Sequence, residues 1–181
     1  RNLETVALIV SAGRGRRISG KIPKQYLPLG GETILSKTAR VFINHKKIDG
    51  VRIVIHPDDQ DLYDAAMSGL NLLSAVHGGA ERQDSVRKGL ESLEELSPLN
   101  VLIHDSVRPF VSHTLIDRIL NLLQDGKGCV PGLPIMDAIK MVDDGQIVKS
   151  LERPKTWRIQ TPQGFRFTQI LAAHRSHIGN N

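Results

Sequence analysis

Unbroken apolar runs alternate with apolar stripes of helical period along most of the chain. Val6-Ala7-Leu8-Ile9-Val10 predicts a strand buried on both faces, followed by Gly13. Ile34, Leu35, Thr38, Val41 and Phe42 then recur on one helical face. Val51 to Ile55 predicts a second strand, stopped by Pro57. Asp58 to Gly69 predicts a helix with Leu62, Ala65 and Ala66 on its apolar side. Its acidic start suits the positive end of a helix dipole. Leu72 to His77 predicts a third strand ending at Gly78-Gly79, and Val86, Leu90, Leu93 and Leu96 mark the next helix. Val101 to Asp105 predicts another buried strand, and Ser112 caps a helix carrying Leu115, Ile116, Ile119, Leu120 and Leu123. This β-α rhythm implies an α/β fold, a mostly parallel sheet with helices on both faces.

The rhythm changes after Pro134. Ala138 to Val142 and Ile147 to Leu151 are short strand-like runs around Asp143-Asp144-Gly145, a hairpin signal, closed by Arg153-Pro154-Lys155. An isolated two-stranded ribbon is marginal in water and needs a surface to lean on. Another subunit is one candidate, and an antiparallel extension of the same sheet is the other. Trp157 is expected to pack under the hairpin.

Composition narrows the function. The 181 residues carry 24 Lys and Arg against 19 Asp and Glu, a net charge of +5 that suits nucleic acid, an anionic membrane or a small anionic substrate. Aromatic residues make up only 4% of the chain, too few for the stacking platforms of a single-strand-binding surface, which favours a phosphorylated small molecule. One Cys excludes a disulfide framework and thiolate-rich metal sites. No apolar run approaches the ~18 residues of a membrane helix. The segment before the first strand is too short for a signal peptide, so a cytoplasmic location is expected, or a plastid-like compartment in a eukaryote. The start at Arg1 and the polar stop at Gly179-Asn180-Asn181 suggest a piece of a longer polypeptide.

Three strand-end loops carry candidate chemistry. Ser11-Ala12-Gly13-Arg14-Gly15-Arg16-Arg17, with Lys21 and Lys24, follows the first strand. Glycines there let backbone N–H groups approach a phosphate. Ile18 stands where a dinucleotide fingerprint needs its third glycine, and no G-K-[ST] follows, so neither that motif nor a P-loop is present. The distinguishing feature is five cations facing the roughly four negative charges of a triphosphate. A solvated basic loop is the plain alternative. Asp105, where a buried strand ends, can hold a ribose hydroxyl or a metal-bound water, and Arg108 a second anion; a structural Asp–Arg pair would look the same. His104, Asp105 and Ser106 cannot converge as a triad, because neighbours on one strand alternate sides. Gly78-Gly79 and Ser85 can take a base or sugar edge, or form a plain turn. His174-x-x-His177 reads as surface.

Taken together, Ser11-Ala12-Gly13-x-Gly15-Arg16-Arg17, Pro23-Lys24-Gln25-Tyr26-Leu27, Gly78-Gly79-x-Glu81-Arg82-x-Asp84-Ser85-Val86, His104-Asp105-x-x-Arg108-Pro109 and Thr161-Pro162-Gln163 resemble the 2-C-methyl-D-erythritol 4-phosphate cytidylyltransferases. Thr161-Pro162-Gln163-Gly164-Phe165 and the serine-initiated glycine loop at Ser11 resemble more weakly the form fused to a cyclodiphosphate synthase. The resemblance implies one Rossmann-like three-layer nucleotidyltransferase domain over residues 1–181 with a protruding arm at about 135–155. It implies transfer of a cytidylyl group from CTP to methylerythritol phosphate with Mg²⁺ or another divalent cation, in isoprenoid biosynthesis. Arg17 and Lys24 would stabilise charge at the α-phosphorus. Ala12, Gly13, Arg14, Gly15 and Arg16 would wrap the triphosphate, and Gly79 and Ser85 would approach the cytidine.

By the same resemblance, Asp105 and Arg108 would hold the substrate; the metal ligands stay open, with the strand-end Asp105 one candidate. The arm would swap onto a homodimer partner and carry Arg153 to its site. Two departures stand out. Ala138 replaces the family's Thr, leaving Asp137 or water to supply that contact. The family's C-terminal Asn-Ile-Lys strand is also missing. A pentitol-phosphate cytidylyltransferase, a catalytically silent nucleotide-binding domain and a basic nucleic-acid binder are the rival readings.

Overall fold

The computed structural model describes residues 3–14 and 22–178, so Gly15, Arg16, Arg17 and Lys21 lie outside the described residues. The first half runs β1 (Thr5–Ser11), β2 (Pro28–Leu29), β3 (Glu32–Thr33), α1 (Ile34–Ile43), β4 (Gly50–Ile55), α2 (Gln60–Met67), β5 (Val76–His77) and α3 (Arg82–Glu91). The second runs β6 (Asn100–Asp105), α4 (His113–Leu122), β7 (Gly132–Pro134), β8 (Lys140–Asp143), β9 (Gln146–Ser150), β10 (Trp157–Ile159), β11 (Gln163–Arg166) and α5 (Phe167–Ile178).

The main sheet has the order β11-β6-β1-β4-β5. Its pairs are parallel except β11 against β6. Alternate residues of each strand feed opposite cores. Ala7, Ile9, Val51, Ile53 and Ile55 meet Leu35 and Phe42 of α1, Tyr63 of α2 and Ile116 and Ile119 of α4. Val6, Leu8, Val54, Val101 and Ile103 meet Val86 and Leu90 of α3 and Phe167 and Leu171 of α5. This is the expected three-layer α/β arrangement. α3 seats closely because it has Gly89 in the contact, where a Cβ would lie 2.8 Å from Leu8 Cδ2 and Val54 Cγ2.

Several boundaries differ from the sequence expectations. The third strand contracts to Val76–His77, and Leu73 reaches β4 through one bond, its N–H to Val51 O at 2.9 Å. A 3₁₀ turn at Pro57–Asp59 delays α2 and turns its face by one residue, so Tyr63 and Met67 are buried while Leu62 is 37% exposed. The hairpin is a separate two-stranded sheet, β8–β9, rather than an extension of the main one, and every residue of both strands is exposed. Asp144 and Gly145 turn it with φ of 44° and 74°, both positive as a type I′ turn requires. The antiparallel extension of the main sheet is β11 instead. Trp157 does not pack under the hairpin: it opens β10, pairs across to Pro134 and is 52% exposed.

Candidate active site

Strand register brings the candidate loops together. Ser11 lies opposite Ile55, Ile55 opposite His77, and Val10 opposite Asp105. The carboxyl ends of β1, β4, β5 and β6 therefore finish along one edge. β4 and β5 lie to one side of β1 and β6 to the other, which makes the β1–β6 end the switch point where an open α/β sheet leaves a crevice.

The loop after β1 is anchored by a residue to which the sequence reading gave no role of its own. Gln25, buried in the 3₁₀ turn Lys24–Tyr26, donates through Nε2 to Ser11 O at 2.8 Å and Gly13 O at 3.2 Å. This fixes Gly13 at the strand tip and sets Lys24, exposed, beside it. Tyr26 packs below, and burial, reinforced by the Asp59 carboxylate, pushes its hydroxyl well above the usual tyrosine range. Arg14 is placed differently from the expected triphosphate grip. Its guanidinium bonds Asp59 Oδ1 at 2.9 Å, Asp58 Oδ2 at 3.2 Å and His56 Nδ1 at 2.8 Å. Asp59 is fully buried, so Arg14 balances a desolvated carboxylate and ties the β1 loop to the end of β4.

The Gly78-Gly79 loop abuts the same tip. A Cβ on Gly78 would come within 2.5 Å of Ala12 Cβ, and one on Gly79 within 2.4 Å of Asp84 Cβ, so only glycine permits this approach. Ser85 lies beneath the loop, buried, with its Oγ accepting the Gly79 N–H at 3.1 Å and donating to Glu81 O at 3.1 Å. It shapes the loop from below.

Across the crevice, Asp105 accepts from Arg82 Nη2 at 2.8 Å on Oδ1 and from Arg108 Nε at 3.0 Å on Oδ2. Arg108 Nη1 also donates to Gln160 Oε1 at 2.6 Å. Burial would raise the Asp105 pKa, but the two guanidiniums outweigh it and hold the carboxyl below the usual aspartate range. One carboxylate between two arginines leaves a net positive, half-open ledge that can receive an anion. Arg82 was not singled out as a site residue: its position in a loop motif says nothing of a carboxylate 23 residues on.

Asp137 and Arg153 sit at the exposed base of the hairpin, where Arg153 Nη1 donates to Met136 O at 3.0 Å. Among the described residues no hydrogen bond or ion pair joins either to Asp105 or Arg108. The expected metal role of Asp105 meets an obstacle in that both its oxygens carry guanidinium bonds. Among the described residues no group of three His, Cys, Asp or Glu side chains could hold a metal ion, and no helix is long and apolar enough to cross a membrane.

Known proteins resemble this chain in sequence and in fold. The family model described as IspD, 2-C-methyl-D-erythritol 4-phosphate cytidylyltransferase, matches residues 5–181. The bifunctional enzyme IspD/IspF of Paramagnetospirillum magneticum is 51% identical over 177 residues, covering 98% of this chain and 46% of the relative. The 2-C-methyl-D-erythritol 4-phosphate cytidylyltransferase of Cereibacter sphaeroides is 41% identical over 179 residues, covering 98% of this chain and 79% of the relative. The crystal structure of 4-diphosphocytidyl-2C-methyl-D-erythritol synthase from Anaerococcus prevotii superposes with a TM-score of 0.82 at 28% identity, covering 99% of this chain and 78% of that one. The chain thus spans about half the length of the bifunctional relatives it matches.

Proposed function

We propose a nucleotidyl transfer for this chain, which belongs to the 2-C-methyl-D-erythritol 4-phosphate cytidylyltransferase family. CTP and methylerythritol phosphate give the cytidine diphospho-alcohol and pyrophosphate. A phosphate oxygen of the polyol attacks the α-phosphorus in line, the bond to the β-phosphate oxygen breaks, and pyrophosphate leaves. Such a step asks the protein for alignment and charge stabilisation rather than a side-chain nucleophile.

The observation that carries this reading is the convergence at one switch point of the Gly13 loop, tied to the Lys24–Tyr26 turn, and the Arg82–Asp105–Arg108 cluster. The Gly13 backbone with Lys24 stands on the β1 side, and the Arg82–Asp105–Arg108 ledge on the β6 side. In this reading Lys24 and Arg17 neutralise charge developing on the α-phosphate, with Ala12, Gly13, Gly15 and Arg16 lining the triphosphate. Gly79, shaped by Ser85, meets the cytidine, and Arg108 takes the polyol phosphate. Arg14 is left out of the triphosphate grip, since Asp58 and Asp59 hold its guanidinium.

Magnesium is proposed as a companion of the nucleotide: it keeps several waters and is held largely by substrate phosphates, whose charge it offsets. Asp105 does not fit as its direct ligand. The arm is proposed to bind a second copy, with Arg153 and Asp137 serving the partner's site. Its exposed Met141, Val142, Ile147 and Val148 support that reading. The bifunctional relatives support a second enzyme domain in the whole protein, which intact-mass measurement tests.

The deciding assay is pyrophosphate release by the full-length protein with CTP and either methylerythritol phosphate or ribitol phosphate. Turnover of the former is expected. Turnover of ribitol phosphate alone, or none at all, overturns the reading.

A further inference from the structure

His104 and Thr161 have no part in the transfer just described, yet they lie directly behind the ledge. His104 is fully buried at the end of β6, its ring 4.8 Å from that of Phe42 at a tilt of 55°. Thr161, also buried, enters from the segment before β11. Three bonds connect them to the site. Asp105 N–H reaches Thr161 Oγ1 at 3.1 Å, Thr161 Oγ1 lies 2.9 Å from His104 Nδ1, and His104 Nε2 lies 2.9 Å from Arg108 O.

The direction of each proton follows from chemistry. A carbonyl oxygen only accepts, so His104 must carry its hydrogen on Nε2. Burial keeps the ring neutral, and its Nδ1 therefore presents a lone pair. The Thr161 hydroxyl must then donate to Nδ1, which leaves its oxygen to accept from Asp105 N–H. The Thr161 hydroxyl accepts one bond and donates another, each remaining polar atom of the relay is used once, and with a neutral ring no reversed arrangement satisfies all three contacts. Buried networks of this kind rigidify what they touch when fully satisfied.

What they touch is the backbone of both substrate-side residues. The Asp105 amide is held from one end and the Arg108 carbonyl from the other. The turn between them is secured by the Thr38 hydroxyl donating to Ser106 O at 2.8 Å and by Ser106 N–H on Val10 O at 3.3 Å. With its carbonyl aimed inward, Arg108 projects its guanidinium to Asp105 Oδ2 and Gln160 Oε1, where 40% of the side chain stays exposed.

We propose that His104 and Thr161 are positioning residues for the polyol-phosphate pocket: the relay from the Asp105 amide through Thr161 and the Nε2-protonated ring of His104 to the Arg108 carbonyl sets the spacing of Asp105 and Arg108, and with it recognition of the phosphorylated alcohol. This rests on the cytidylyltransferase reading. Both backbone groups that the relay holds belong to the substrate-side pair Asp105 and Arg108, so its effect is expected on the polyol phosphate rather than on CTP.

The test uses full-length protein in steady-state assays that vary CTP and methylerythritol phosphate separately. Thr161→Val leaves a buried donor and acceptor unpaired, and about a tenfold rise in KM for methylerythritol phosphate is expected, with KM for CTP within about twofold. Thr161→Ser, which restores the hydroxyl, should return the polyol KM to the wild-type value. Selective ¹⁵N-histidine labelling of the wild-type protein gives an independent readout. The His104 resonance, assigned by its absence from His104→Gln, should belong to a neutral ring protonated at Nε2 alone. A folded Thr161→Val enzyme with both KM values unchanged, or raised together, overturns the proposal. So does a ring protonated at Nδ1, which also decides the matter if Thr161→Val does not fold. An enzyme that never turns over methylerythritol phosphate refutes the reaction assigned above, while the ring spectrum still reports on the relay.

Discussion

Acidification should destabilise this fold through His104 in a way that can be calculated. Burial is the largest influence on the ring and lowers its pKa from 6.5 to about 4, against smaller opposing effects from the Arg108 carbonyl and the Asp105 charge. A group that binds its proton less readily when folded contributes stability that is complete above pH 6.5 and lost as pH falls towards 4. At pH 5 the unfolded ring is almost wholly protonated and the folded ring almost wholly neutral. At ~1.4 kcal/mol per unit of displacement, the step from pH 7 to pH 5 removes about 2 kcal/mol. Asp105 contributes little there, because its lowered pKa keeps it ionised above pH 5 in the folded chain. The measurement is the urea midpoint, followed by circular dichroism, of wild type and His104→Gln at pH 7 and pH 5. Both proteins keep His45 and His174, whose pKa values burial also lowers, so the difference between the two slopes isolates His104. Parallel slopes would refute the reasoning, since the ring would then be titrating alike in the folded and unfolded chains.

Other expectations follow from single residues. Lys24→Ala should lower kcat by about 10²–10³, the usual loss of one donor to transition-state charge, measured by pyrophosphate release. Arg14→Ala should cost about 1–3 kcal/mol, because Asp59 is left buried without its partner; equal urea midpoints with wild type would count against the ion pair. Gly89→Ala gains ~1 kcal/mol of helix propensity but forces a Cβ against Leu8 and Val54, costing ~1–3 kcal/mol, so net destabilisation in urea unfolding is expected; in a Leu8→Ala background the penalty should shrink, with Val54 still crowding the new Cβ. Mixing inactive Arg153→Ala subunits with inactive Lys24→Ala subunits should restore about a quarter of wild-type activity if the arm serves a partner's site, since half the dimers are then mixed and each has one intact site. No recovery would keep Arg153 out of that site.

The elements legible in the sequence are those whose pattern answers to one neighbouring surface. α1 and α4 repeat apolar residues against a single sheet face, and the Ser112 Oγ accepts the Leu115 N–H at 3.1 Å as its cap position foretells. The hairpin turn was equally local, since Asp144-Gly145 supplies both left-handed residues. Edges were harder to read. Leu72 to Ala75 has strand-like composition, yet pairing with β4 begins only at Val76. β11 depends on a partner 60 or more residues earlier and leaves no periodic trace in four residues. In the site, motif spacing located Gly13, Lys24, Asp105 and Arg108 at one sheet edge but could not say which charges meet. Arg14 turned to acids 44 and 45 residues away, and Arg82 joined Asp105, because pairing follows from how β4, α3 and β6 end in space.

The bare ribbon of β8 and β9 has a consequence for how such a chain changes over generations. None of its side chains helps fill the cores of the body it springs from, so exchanges along it leave those cores untouched and are judged at the surface it meets. The nucleotide end has no such freedom: Ala12 packs in one of those cores and Gly13 follows it directly, so drift there strikes fold and chemistry together. Variation can accumulate at one end of the molecule while the other stays nearly fixed.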